Sequence, residues 1–162
     1  MTQMNIKWIS TTEENPWEQI RSVEIFSESN AAGILEVTGE SNQIIDGFGG
    51  CFNELGWAAL SKLEDDKRNK ILDELFLESG CNFNFCRMPM GANDYSLEWF
   101  SYNETDMDYE MKYFTIERDY HYLLPYIRAG MKRQPKMTLF ASPWSPPTWM
   151  KFPKAHNYGT LI

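Results

Sequence analysis

The sequence predicts an α/β fold in which parallel strands are joined by right-handed helical crossovers. Short apolar runs of strand type alternate with longer stretches of helical spacing over the last two thirds of the chain, and that order favours parallel strands. The composition agrees: 43% hydrophobic and 23% charged residues over 162 positions suit one domain with a real core. The aromatic share of 15% is high, and rings with polar edges suit either a dense core or a site that stacks on flat ligand faces.

Residues 1–40 read differently from the rest of the chain. "SVEIF" and "GILEVTG" are short strand-like runs separated by the Ser/Asn-rich "SESNAAG", which predicts a hairpin or a sheet edge. In the part from 41 to 162, "NQIIDGFGGCFNE" gives a brief apolar strand that breaks at Gly47, Gly49 and Gly50. One long helix is predicted from about Leu55 to Leu77, where Leu60, Leu63, Ile71, Leu72, Leu75 and Phe76 recur at helical spacing. The second strand is predicted over Asn82 to Met88, ended by Pro89, with a polar and aromatic loop from Gly91 to Phe114 after it. "TIERDYHYLLPYIRAG" predicts a helix capped by Thr115, kinked or restarted at Pro125 and closed by Gly130. "PKMTLFASPW" is the third strand.

Charge and cysteine usage exclude several classes. A net charge of −8 argues against a nucleic-acid partner, since phosphate backbones demand basic patches. No segment has the run of roughly 18 apolar residues that a membrane span requires. The opening residues carry no apolar signal-peptide core, so a cytoplasmic location is expected. Cys51, Cys81 and Cys86 are odd in number and lack CxxC spacing, which predicts buried reduced thiols with no disulfide framework and no metal site. No cofactor motif is present. Gly47 and Gly49 fit the start of a dinucleotide fingerprint, but its sixth position is Phe52, so tight turning is the better reading.

Asn53-Glu54 could be taken for a catalytic pair at a strand end. Leu55 follows instead of proline, and Asn53 as a helix N-cap with Glu54 in the first turn accounts for both residues. His121 and His156 have no Ser or Cys motif around them. "CRMPMGANDYS" and "ASPWSPPTWM" are more informative. Arg87 ends a predicted parallel strand, where a buried charge is costly unless paired, and Asp94 lies just beyond. Pro143, Pro146 and Pro147 stiffen the loop that carries Trp144 and Trp149. A carboxylate accepts hydroxyl hydrogen bonds and an indole lies against the apolar face of a sugar, so Asp94 and Trp144 form one wall of a candidate sugar site. A structural Arg87–Asp94 ion pair beside a core tryptophan is the competing reading.

"IDGFGGCFNE", "FNFCRMPMGANDYS", "FSYNETDMDYEMKYFTIERD" and "LFASPWSPPTWMK" together resemble glycoside hydrolase family 30, the glucosylceramidase-like enzymes, in order and spacing across about residues 41 to 152. The resemblance implies a partial (β/α)8 TIM barrel, about the first three βα units, preceded by strands of a β-sandwich side domain. It implies retaining hydrolysis of β-glycosides, with Asp94 and Trp144 binding the sugar and Arg87 supporting them. The family's acid/base and nucleophilic glutamates belong after the fourth and seventh strands, beyond Ile162. No catalytic residue is therefore expected among these 162, which should be inactive without the C-terminal part of the barrel as partner. The run Cys51 to Glu54 differs from glucosylceramidase itself, leaving β-1,6-glucan, β-fucosides and xylosides as further substrates. The alternative from another class is a non-catalytic carbohydrate-binding or scaffold polypeptide.

Overall fold

The computed structural model describes residues 7–20 and 38–162, in two units, Met1–Gln43 and Ile44–Ile162. In the first unit, strands β1 (Trp8–Ser10) and β2 (Glu18–Ile20) pair antiparallel, with Ser10 opposite Glu18. Threonine hydroxyls close the turn: Asn15 N–H donates to Thr12 Oγ1 at 3.0 Å and Trp17 N–H to Thr11 Oγ1 at 3.1 Å. This hairpin departs from the sequence reading, because "TTEENPW" announces a turn but three-residue strands are too short to show alternation. The runs "SVEIF" and "GILEV", and the β-sandwich expected of them, lie outside the described residues.

Parallel pairing organises the second unit. Strand β3 (Phe85–Met90) pairs with β4 (Thr138–Pro143), with Phe85 opposite Thr138 and Met90 opposite Pro143. On the other side of β3 the 48–52 segment also runs parallel. Arg87 N–H donates to Gly50 O and Phe52 N–H to Arg87 O, both at 2.9 Å, around a single bridge from Cys51 to Arg87. The expected first strand is thus reduced to one bridge. Its glycines serve close approach: a Cβ on Gly49 would stand 2.1 Å from the Phe85 carbonyl oxygen, and one on Gly47 2.2 Å from Asn84 Oδ1. Chain order is spatial order, as the alternation of elements predicts.

The expected single helix is two, α1 (Glu54–Leu60) and α2 (Asp65–Phe76). Asn53 caps α1 as predicted, its side-chain oxygen accepting from Gly56 N–H at 2.7 Å. The break falls at "SKLE", where Lys62 and Leu63 N–H groups bond back three residues to Ala59 and Leu60 carbonyls and tighten the chain. Asp65 and Asp66 then sit in the first turn of α2, where the helix dipole favours carboxylates. Apolar periodicity continued across this break; the acidic run marked it.

Helix α3 (Leu123–Arg133) starts later and ends later than expected, after a 3-10 turn at Glu117–Tyr120. Pro125 lies in its first turn, where a missing N–H costs nothing. Gly130 does not close the helix. It is buried within α3 because a Cβ there would come 3.1 Å from the Phe52 and Phe76 rings. The helix stops at the residue before Pro135, the position a proline disfavours. Strand β3 likewise runs through Pro89, where the 48–52 neighbour has already turned into α1 and no donor is needed. It begins at Phe85 rather than Asn82, which adopts a left-handed φ of 52°.

The helices close over one face of the strands. Phe52, Leu60, Leu72, Phe76, Cys86, Leu123, Ile127 and Met137 form the buried cluster, with the Phe52 ring stacked on Phe76 and edge-on to Tyr126. Arg133 fastens α3 to α2 through Asp73 at 2.5 Å and Asn69 at 2.9 Å. The opposite face is open: Phe85 and Phe140 meet there at 5.8 Å, and Phe140 is exposed. Of the three thiols only Cys86 is buried; Cys51 is half-buried and Cys81 exposed in the turn after α2, contrary to expectation. Burial pushes the Cys51 and Cys86 thiols up, away from the reactive thiolate. Among the described residues no helix is long and apolar enough to cross a membrane.

Candidate functional site at the carboxyl ends of the strands

The ends of β3 and β4, at Met90 and Pro143, and the end of the bridged 48–52 segment, at Phe52, open on the same side because all three run parallel. Ligand sites of such sheets lie there, where loops rather than packed strands carry the side chains. Trp144 follows β4 directly and remains 44% exposed, while Trp149 is 5% exposed on the 3-10 turn at Thr148–Met150. The Trp149 indole N–H donates to Asn103 O at 2.9 Å and its ring takes Tyr109 edge-on at 5.1 Å. The two tryptophans of the proline-rich loop therefore do different things. One anchors the loop in the interior and the other is left facing out.

Arg87 lies under Trp144, its guanidinium carbon 5.7 Å from the ring centroid. Its Nε donates to Ser142 Oγ at 2.7 Å across the strand pair. Among the described residues it makes no ion pair with Asp94, so the competing structural pair is absent. Trp144 rims a cavity of about 490 Å³ whose walls include Met90, Tyr102, Asn103 and Phe114. Asp94 is elsewhere: it is exposed and lines a separate concavity of about 240 Å³ with Asn93, Ser96, Glu98 and Trp99. The structure brings Arg87 and Trp144 together and sets Asp94 on the neighbouring strand-end loop.

That loop is ordered by buried polar residues. Asn103 donates to Asp108 Oδ2 at 2.8 Å and accepts from Thr105 N–H at 3.1 Å. Asp108 also accepts from Lys112 and Tyr113 N–H, and the Tyr113 bond leads in holding its carboxyl below the usual range. Tyr102 donates to Asp119 Oδ2 at 2.6 Å; burial, then this bond, raises the phenol well above its ordinary value, and burial raises the Asp119 carboxyl. Glu104 accepts from Thr148 N–H at 3.1 Å and from its hydroxyl, tying the loop to the segment after β4. His156 stacks on Trp99 at 5.9 Å, and its Nδ1 is buried with no hydrogen-bond partner among the described residues.

Glu54 is 4% exposed and fully engaged. It accepts from Arg118 Nε at 2.7 Å, Arg118 Nη2 at 3.0 Å and Leu97 N–H at 2.8 Å. Arg118 also reaches Glu98 at 3.0 Å and covers the Phe100 ring at 4.4 Å. The bond to Glu54 leads in raising its already high pKa. Sequence reading placed Glu54 in a helix start and missed this pairing, because its partner is 64 residues away.

Residues 45–162 match the glycosyl hydrolase family 30 TIM-barrel domain. The chain belongs to glycosyl hydrolase family 30. It is therefore a hydrolase-family polypeptide, and its parallel β3–β4 pair, the bridged 48–52 segment and their helices are part of a TIM barrel. A Caenorhabditis elegans protein described as a glucosylceramidase is 34% identical over 83% of this chain and 26% of its own length. An endo-1,6-β-D-glucanase of Neurospora crassa is 28% identical over 74% of this chain and 25% of its own. The crystal structure of SrfJ from Salmonella typhimurium superposes with a TM-score of 0.70 at 33% identity, over 74% of this chain and 27% of that one. The chain spans about a quarter of the length of the relatives it matches.

Proposed function

We propose that these residues are the N-terminal part of a retaining β-glycosidase that hydrolyses a β-glucoside or a related β-glycoside. Trp144 and Asp94 are its sugar contacts, Arg87 supports Trp144 from below, and the acid/base and nucleophilic glutamates belong to the remaining barrel. The observation that carries this reading is Trp144. An indole left 44% exposed directly after β4, in front of Pro146 and Pro147 and over the Arg87 guanidinium, is placed for stacking on an apolar ligand face. The relatives support the substrate class, since the descriptions of both name a glucosyl or glucan substrate and the glucanase's names a β linkage.

Retaining hydrolysis needs two carboxyl groups about 5–5.5 Å apart, one to protonate the leaving oxygen and one to attack the anomeric carbon. Glu54 cannot act in either role, being held by Arg118 and by Leu97 N–H. Asp94 is an exposed carboxylate suited to accepting hydroxyl hydrogen bonds. On adjacent strand ends but in separate concavities, a platform ring and a hydroxyl acceptor would hold different edges of one sugar for carboxylates supplied from farther round the barrel.

The test is Trp144→Ala in the family-length protein. Loss of a sugar-stacking ring should remove about 1–3 kcal/mol of transition-state binding, a fall in kcat/KM of roughly 5- to 150-fold, with little change in melting temperature. Unchanged kcat/KM with a marked fall in melting temperature would make Trp144 a packing residue and defeat the reading.

A further inference from the structure

The Glu54–Arg118 pair poses a question that the proposed sugar contacts do not answer. Removing a carboxylate and a guanidinium from water is costly, and apolar residues of similar volume commonly hold a core at least as well. Here both charges converge on one short turn. Ala92 N–H donates to Phe100 O at 3.1 Å and closes the turn's base. Asn93 is buried, its Oδ1 accepting from Tyr95 N–H at 2.8 Å while its own N–H donates to Ser96 Oγ at 2.9 Å. Tyr95 O accepts from Leu55 N–H at 3.0 Å, Leu97 N–H donates to Glu54, and Glu98 receives Arg118. The turn around Asp94 is thus tied through backbone groups at residues 92, 93, 95 and 97 and through side chains at Ser96 and Glu98. The Asp94 carboxylate itself has no hydrogen-bond or ion-pair partner among the described residues.

We infer that Glu54 and Arg118 are positioning residues for Asp94: they fix the 92–98 turn against the start of α1 so that the Asp94 carboxylate is held in one place for a ligand hydroxyl. This rests on the proposed role of Asp94 as a sugar contact. The geometry favours positioning over bulk stability. Glu54 uses its two oxygens on a two-point guanidinium fork and on a backbone N–H three residues from Asp94, and that combination fixes orientation as well as distance. Arg118 is in turn held from outside by Glu98, on the same loop.

The experiment is a double-mutant cycle in the family-length protein, assayed well below the melting temperature on a β-glucoside and on its deoxy analogues. Arg118→Lys keeps the charge and loses the fork, so it is the variant of choice; Glu54→Gln is the second. Each should lower kcat/KM on the glucoside by roughly 10- to 100-fold, the scale of a small misplacement of a binding group. Each should also lower it less on the analogue that lacks the contacted hydroxyl. On an Asp94→Asn background, Arg118→Lys should add less than about a twofold further loss. Losses that multiply, or a lowered melting temperature with wild-type kinetics, would overturn the inference and leave the glycosidase reading intact. A wild type that turns over no β-glycoside would overturn both.

Discussion

A polypeptide of residues 1–162 alone is expected to turn over no aryl β-glycoside. The reaction requires a nucleophile and an acid/base across one scissile bond. Of the carboxylates near the strand ends, Glu54 is committed to Arg118 and Leu97, Glu104 to Thr148, and Asp108 to Asn103 and two backbone N–H groups. Asp94 and Glu98 share a concavity, but Glu98 is ion-paired to Arg118. The strands add a physical reason. The open face carries exposed Phe140, and Phe48 is exposed on the outer parallel segment. Such a face and such strand edges favour association over a compact monomer. Assay of the purified polypeptide with several aryl glycosides, together with its size in solution, checks both statements. Turnover by a monomer that is lost in Glu54→Gln would return Asn53-Glu54 to the catalytic role.

Trp149→Ala is expected to cost about 3–5 kcal/mol of stability, the range for removing a buried large aromatic. The ring is 5% exposed, meets Tyr109 edge-on, and its N–H satisfies the Asn103 carbonyl. Substitution leaves a cavity and a buried acceptor without its donor. Denaturant unfolding of the family-length protein measures it, with Trp144→Ala as the companion. The two substitutions remove the same side chain five residues apart, and only the buried one should shift the midpoint strongly.

The proline-rich loop at a strand end was legible in the sequence, but its residues left packing and display open for its tryptophans, and only the family resemblance pointed Trp144 at a sugar. The alternation of strands and helices and the Asn53 cap were legible without it. These rest on local rules: missing amide hydrogens, short polar side chains and periodicity. The break between α1 and α2 escaped because leucines keep helical spacing across "SKLEDD", and the acids that restart the helix could equally be a solvated face. Gly130 read as a helix end, but its reason is the approach of two phenylalanine rings from distant segments. The Glu54–Arg118 pair and the Trp149–Asn103 bond join residues 64 and 46 positions apart, and no local pattern predicts such partners. Asp94 is the reverse case. Sequence singled it out, while the structure gives the reason its turn is rigid and places it in a different concavity from Trp144.

The most direct test of the account is covalent trapping. A retaining glycosidase forms a glycosyl-enzyme ester, and a 2-deoxy-2-fluoro glycosyl fluoride slows its hydrolysis enough to isolate it. The family-length protein, incubated with the β-gluco reagent, digested and analysed by mass spectrometry, should carry one label on a glutamate beyond Ile162. Trp144→Ala should slow labelling without moving it. A label on Glu54, Asp94 or any other carboxylate within residues 1–162 would contradict the account.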